Sequence, residues 1–203
     1  MSARHSQSFW VGIFVLNLLS SVALADPATS VTPVDPEKLV AQAEKALDHE
    51  DLDVAIKLYH QAAELNYTPA QASMGEFAES GGFSEEAVGW FLMAATQGDA
   101  TGQYDLARMY AAGIGIEKDD AKALYWFRRS AAKNFLPAVK VIAGAYSTGG
   151  FSGQIKVDLD QAKSWDAKAS RLEAIERKAA DEKMAAFKKS QEEEAAKKAN
   201  KNK

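Results

Sequence analysis

Few residues in this chain have types and spacings that could do chemistry. His49, Glu50, Asp51 and Asp53 are metal-ligating types close together. Their spacing fits neither a helical histidine pair nor a calcium loop, and Asp53 stands where a following helix needs an N-cap. His60 is alone on a helical pattern. The chain has no cysteine, which removes disulfides, thiolate metal sites and thiol nucleophiles. No nucleophile, base and orienter stand together in the pattern, and a Ser-x-x-Lys motif with its companion motifs is absent. Gly113-Ile114-Gly115 lacks the preceding strand and the third glycine of a dinucleotide cradle, so it reads as a hinge. Trp90, Trp126 and Trp165 suggest a sugar-stacking platform, but they share one helical register and read as packing. Met74, Met93 and Met109 read as core or near-core filler. Asn66-Tyr67-Thr68 matches a glycosylation sequon of little weight, with Pro69 close behind. The expectation is no catalytic residue, no metal and no cofactor.

The elements that would position any site are repeated. Ala55, Ala87, Ala123 and Ala162 align, and after them stand Leu58-Tyr59, Trp90-Phe91, Trp126-Phe127 and Trp165. Ala62-Ala63, Ala94-Ala95, Ser130-Ala131 and Ala169-Ser170 follow in register. Asn66, Gly98 and Asn134 then stand where helices end in a left-handed conformation. Met74, Leu106 and Ile142 share a further register, and Gly81, Gly113 and Gly149 close the copies. Spacing between copies varies only in the loop after that glycine, which is how helical repeats absorb insertions. Asp53, Ser84, Asp119 or Asp120, and Asp158 or Asp160 are the expected N-caps of the aromatic helices.

At these residues the chain resembles the Sel-1-like repeat (SLR) family, relatives of the tetratricopeptide repeat. The pattern Ala-x-x-Trp-Phe-x-x-x-Ala-Ala-x-x-Gly, then Gln-x-x-Leu-Ala-x-Met-Tyr-x-x-Gly-x-Gly, carries the resemblance over roughly residues 37–172. Ala107 and Ala143 stand where the family usually has glycine, and Ala78 replaces a tyrosine. The resemblance implies an all-α, right-handed superhelical solenoid of about four antiparallel helix pairs, at 37–66, 69–98, 101–134 and 137–172. Ala55, Ala87, Trp90, Leu106, Gly113, Ala123, Trp126, Gly149 and Trp165 would be its structural positions. One pair cannot bury its own apolar face, so stability must come from neighbour contacts.

If the units stack as in tetratricopeptide proteins, the first helix of each lines a concave groove. Register then places Glu76, Glu79, Tyr104, Arg108, Lys140 and Ser147 along it, with an exposed Tyr104 beside Arg108 as a partner anchor.

Outside the repeats, Arg4 and His5, the apolar run from Phe9 to Leu19 and Ala23-Leu24-Ala25 read as a secretory signal peptide over 1–25. The proline-rich 26–36 reads as a disordered leader. Residues 173–203 read as a charged helical extension whose stripe of Leu172, Ile175, Ala179 and Phe187 caps the solenoid, ending in a disordered basic tail. Charge divides accordingly: Asp26–Ser170 holds 13 basic and 21 acidic residues, Arg171–Lys203 holds 10 and 7. An acidic body argues against nucleic acid, and the terminal lysines suit at most weak contact with an anionic surface. The chain thus reads as a non-catalytic periplasmic or secreted adaptor for envelope or secreted proteins, with no spanning helix after signal cleavage. The alternatives are a small secreted SLR enzyme of the penicillin-binding or β-lactam-hydrolysing type, and an exported host-interaction protein.

Overall fold

The structure, a computed structural model, describes residues 34–201. The expected signal peptide and nearly all of the expected leader lie outside the described residues. Eight helices follow one another: α1 (Pro36–Asp48), α2 (Leu52–Glu64), α3 (Thr68–Ser80), α4 (Ser84–Thr96), α5 (Ala100–Ala112), α6 (Asp120–Ala132), α7 (Leu136–Thr148) and α8 (Leu159–Lys201). Among the described residues there is no strand beyond one isolated bridge between Gly150 and Ile155. Each helix packs on its neighbours in sequence, and α3 also reaches past α4 to α5. The result is the expected all-α solenoid of four helix pairs.

The first seven helices each have 13 residues, and in the first six one backbone device sets that length. The first six end on a left-handed residue: Glu50, Asn66, Gly82, Gly98, Gly113 and Asn134, with φ between 61° and 95°. The next residue then returns its N–H to the carbonyl five back: Asp51 to Ala46, Tyr67 to Ala62, Phe83 to Ala78, Asp99 to Ala94, Ile114 to Met109 and Phe135 to Ser130, at 2.8–3.3 Å. This satisfies carbonyls that the helix end would leave orphaned. Outside the longer α5–α6 connection, the residue that closes one helix is also the N-cap of the next.

That double duty corrects two expected caps. Asp51, not Asp53, caps α2 by accepting from the Val54 amide at 3.3 Å. Phe83 occupies the N-cap of α4 and makes no side-chain bond, so Ser84 is already helical. Where the loops lengthen, the cap is free to be optimal. Asp119 accepts from the amides of Ala121 and Lys122, and Asp158 from those of Asp160 and Gln161. Gly81 is right-handed, with the left-handed role taken by Gly82.

The core is a chain of three clusters. Tyr59, Ala62 and Met74 anchor the first; Phe91, Leu106 and Met109 the second; Phe127, Val139 and Ile142 the third. Trp90 lies against the first and second, and Trp126 against the second and third. The tryptophans are therefore half-buried staples between units. Trp90 meets His60 of the preceding unit edge-on, with ring centroids 5.8 Å apart. Trp165 packs on the third cluster beneath Lys168. Alanines at the repeat register, including Ala55, Ala87 and Ala123, are fully buried and let the helices approach. Met74 and Met109 are core as expected, whereas Met93 is exposed.

Buried polar groups fasten the stack as well. The Gln71 amide donates to the Ala63 carbonyl and the Gln103 amide to the Ala95 carbonyl, at 3.3 and 3.1 Å. The next carbonyl in register, Ala131, faces Val139 where a third glutamine would stand. Lys168 of α8 donates to it instead, at 2.7 Å. Buried backbone acceptors need a partner, and at each joint the following unit supplies one.

The connection from α7 to α8 is the longest, and it is well anchored. Gly149 has φ 78°, Phe151 and Ser152 both 52°. The Phe151 ring packs on Phe127, Ile155 is buried, and Ser152 bonds Asp120. Helix α8 runs unbroken for 43 residues, so the second helix of the fourth pair and the charged extension are one element with no boundary at residue 172. Leu172 packs on the third cluster. From Ala174 onward, every side chain described is exposed, Ile175, Met184 and Phe187 included. The cap expected from this stripe therefore stops at Leu172. No helix among the described residues is long and apolar enough to cross a membrane.

Candidate functional site

Helices α3 and α5 line the inner side of the stack, since they touch across the helix between them. On that side Arg108 of α5 is the centre of a charged cluster. Its guanidinium donates to Asp105 of the same helix at 2.8 Å and to Glu79 of α3 at 2.9 Å. Arg108 and Asp105 lie one helical turn apart, where side chains share a face. Glu79 is brought in only by the packing of α3 on α5. A forked guanidinium suits two carboxylates at once.

Three carboxylates share this one cation. Asp105 is buried, and that burial holds its pKa above the ordinary aspartate range, with Glu79 and Asp99 adding to the rise and Arg108 opposing it. Glu76, one turn before Glu79, is exposed yet partly desolvated. Its pKa is raised by burial, then by Asp105 and Glu79, and lowered by Arg108. The Arg108 pKa is raised: burial works against the cation, and the bonds to Asp105 and Glu79 overcome it. Further along, burial and then Glu44 and Glu76 raise the Tyr59 hydroxyl. This part of the inner face therefore carries excess negative charge that its own residues do not neutralise.

Of the residues placed on the groove by register, the structure brings Glu76, Glu79 and Arg108 together. Tyr104 departs from expectation, being half-buried rather than exposed. Its ring lies against Phe127 and Phe135, at centroid distances of 5.6 and 5.4 Å, because it fills the joint between the third and fourth units. Lys140 is exposed on α7 and pairs with Glu173 of α8 at 2.7 Å. Ser147 donates to the Ala143 carbonyl of its own helix. Neither joins the Arg108 cluster. Asp105 was absent from the sequence-based set, although its place three residues before Arg108 was a usable signal.

Among the described residues no group of histidine and acidic side chains is arranged to hold a metal. A bare Ser-x-x-Lys spacing does occur, at Ser130 and Lys133. Ser130 is fully buried and its hydroxyl donates to the Ala100 carbonyl at 2.7 Å, which makes it a strut between units.

Comparison with known proteins agrees with this architecture. A model of the Sel1 repeat matches residues 48–67, 69–99, 100–135 and 143–173. The DAP3-binding cell death enhancer 1 of Rattus norvegicus is 34% identical over 86 residues, 41% of this chain. The chain spans 17% of that protein's length. A solved Sel1 repeat protein from Oxalobacter formigenes superposes with a TM-score of 0.62 at 27% identity, over 66% of this chain and 56% of that one. A protective antigen of uropathogenic Escherichia coli strains displaying an SLR fold gives 0.61 at 26% identity, over 68% and 30%.

Proposed function

Because the chain belongs to the Sel1 repeat family, whose members generally mediate contacts between proteins, we propose that it is a non-catalytic scaffold holding protein partners along its inner groove. The observation that carries this reading is the cluster of Glu76, Glu79 and Asp105 around Arg108. Three carboxylates around one cation favour a partner segment that brings lysine or arginine, and the desolvated setting strengthens each such contact. The apolar run and the small-residue cleavage pattern ahead of Asp26 support work in the periplasm, or beyond the cell, after signal removal.

The test is a photo-crosslinking residue at position 80, exposed on α3 one turn beyond Glu76, in living cells, with mass spectrometry of the adduct. A discrete partner, lost on masking the acidic side chains as Glu76→Lys and Glu79→Lys, is the expected result. Adducts that ignore these charges would remove the groove from the account. Fractionation and the N-terminal sequence of the mature chain test the location, since retention of residues 1–25 in the cytoplasm contradicts it.

A further inference from the structure

The structure points to a second docking site, on α6 and away from the groove helices. We propose that the shallow recess beside Arg128 and Arg129 takes an acidic peptide segment carrying an apolar side chain.

Among the described residues ahead of α8 the arginines are Arg108, Arg128 and Arg129, and Arg108 is bound to two carboxylates. Arg128 has no partner among the described residues, and Arg129 bonds only the Tyr125 hydroxyl, at 2.9 Å. The guanidinium of Arg129 lies over the rings of Tyr125 and Trp126, 5.5 and 5.7 Å from their centroids. That stacking fixes the cation while leaving its outward N–H donors unspent. Two adjacent guanidinia without a carboxylate partner are notable on a body with so many more acids than bases.

The recess gives them a shape to work with. Leu124 and Ala132 supply its apolar lining, Tyr125 and the two arginines its polar side, and Gln154 of the α7–α8 connection closes it. No carboxylate lines it. Gln154 is held there by the anchored loop, whose neighbours Phe151 and Ile155 pack into the third cluster. A bare anion would leave the apolar lining unused. A short acidic segment with one aliphatic or aromatic side chain uses both features, the forked cations for its carboxylates and the lining for its anchor.

The test is fluorescence anisotropy on the full chain. One probe is a fluorescein-labelled decapeptide with glutamates on both sides of a leucine-phenylalanine pair, and the other carries lysines in their place. The glutamate peptide is expected to bind. Joint Arg128→Glu and Arg129→Glu should weaken it by at least about tenfold, with Arg128→Lys and Arg129→Lys intermediate because the fork is lost and the charge kept. Arg108→Glu should leave it unchanged. Circular dichroism checks that each variant is folded, and the lysine variants keep the comparison valid if the charge reversals are not. No binding, equal binding of the lysine peptide, displacement by inorganic phosphate at matched concentration, or equal loss on Arg108→Glu would each overturn the proposal.

Discussion

Glu50 holds a left-handed backbone with φ 61° in the turn between α1 and α2, a task that asparagine or glycine performs at the other five turns of this kind. A side chain with a Cβ is strained there, by about 1 kcal/mol or somewhat more. Glu50→Gly should therefore raise stability by about 0.5–1 kcal/mol in chemical denaturation, while Glu50→Ala should gain nothing. Glu76 offers a second test. Its folded pKa is raised, so its ionisation opposes folding: the penalty is absent below the unfolded pKa and complete above the folded one. Glu76→Gln should stabilise the protein at pH 7, by no more than about 0.5 kcal/mol after solvent screening, and the gain should vanish as pH falls through the carboxylate range. A gain that persists in acid would mean that charge is not its cause. At this scale the sequence was a good guide to residues whose role is local. Asn66, Gly98 and Asn134 are left-handed as their types imply. It was a poor guide to Tyr104, whose place depends on Phe127 and Phe135 in the next turns of the stack, and to the partners of Arg108, one of which stands 29 residues away.

The seven equal helices and their linked turns explain why element positions were legible while caps were displaced. Alanine and tryptophan registers recur because every unit buries the same face. A cap, by contrast, is fixed by where the preceding helix lets go, and a residue's type does not reveal that. The continuity of α8 went unseen for a related reason: the composition changes after Leu172, but no proline, glycine or capping residue interrupts the backbone. Helix α8 continues into the lysine-rich end as far as Lys201. Loop glycines carry their own weight here. Gly115 has φ 66°, and a Cβ there would run into the Ser84 carbonyl of the preceding unit. Gly115→Ala should cost about 1–3 kcal/mol, read as a lowered denaturation midpoint. A neutral result would show that the α5–α6 loop does not bear on α4.

Across the whole molecule, stability should follow the chain of three clusters and ignore what projects from it. Removing residues 175–203 should leave the denaturation midpoint nearly unchanged, within about 0.5 kcal/mol, while lowering helical content. A large loss would mean that the exposed half of α8 returns to the body. Trp126 joins two clusters, so Trp126→Ala should weaken both neighbouring joints, at or below the low end of the about 3–5 kcal/mol usual for a fully buried tryptophan. The four-unit architecture was readable because each unit repeats its neighbour's apolar face. The arginines beside Gln154 were not, because a helix and a loop meet there only once the fourth unit has folded.

The unbroken α8 also sets a distance. Its part beyond Glu173, from Ala174 to Lys201, measures about 40 Å at the helical rise of about 1.5 Å per residue. A stiff rod of that length is a gauge. Whatever meets its lysine-rich tip stands at a spacing from the solenoid that backbone geometry dictates, so one molecule can hold two bodies apart as well as bring them together.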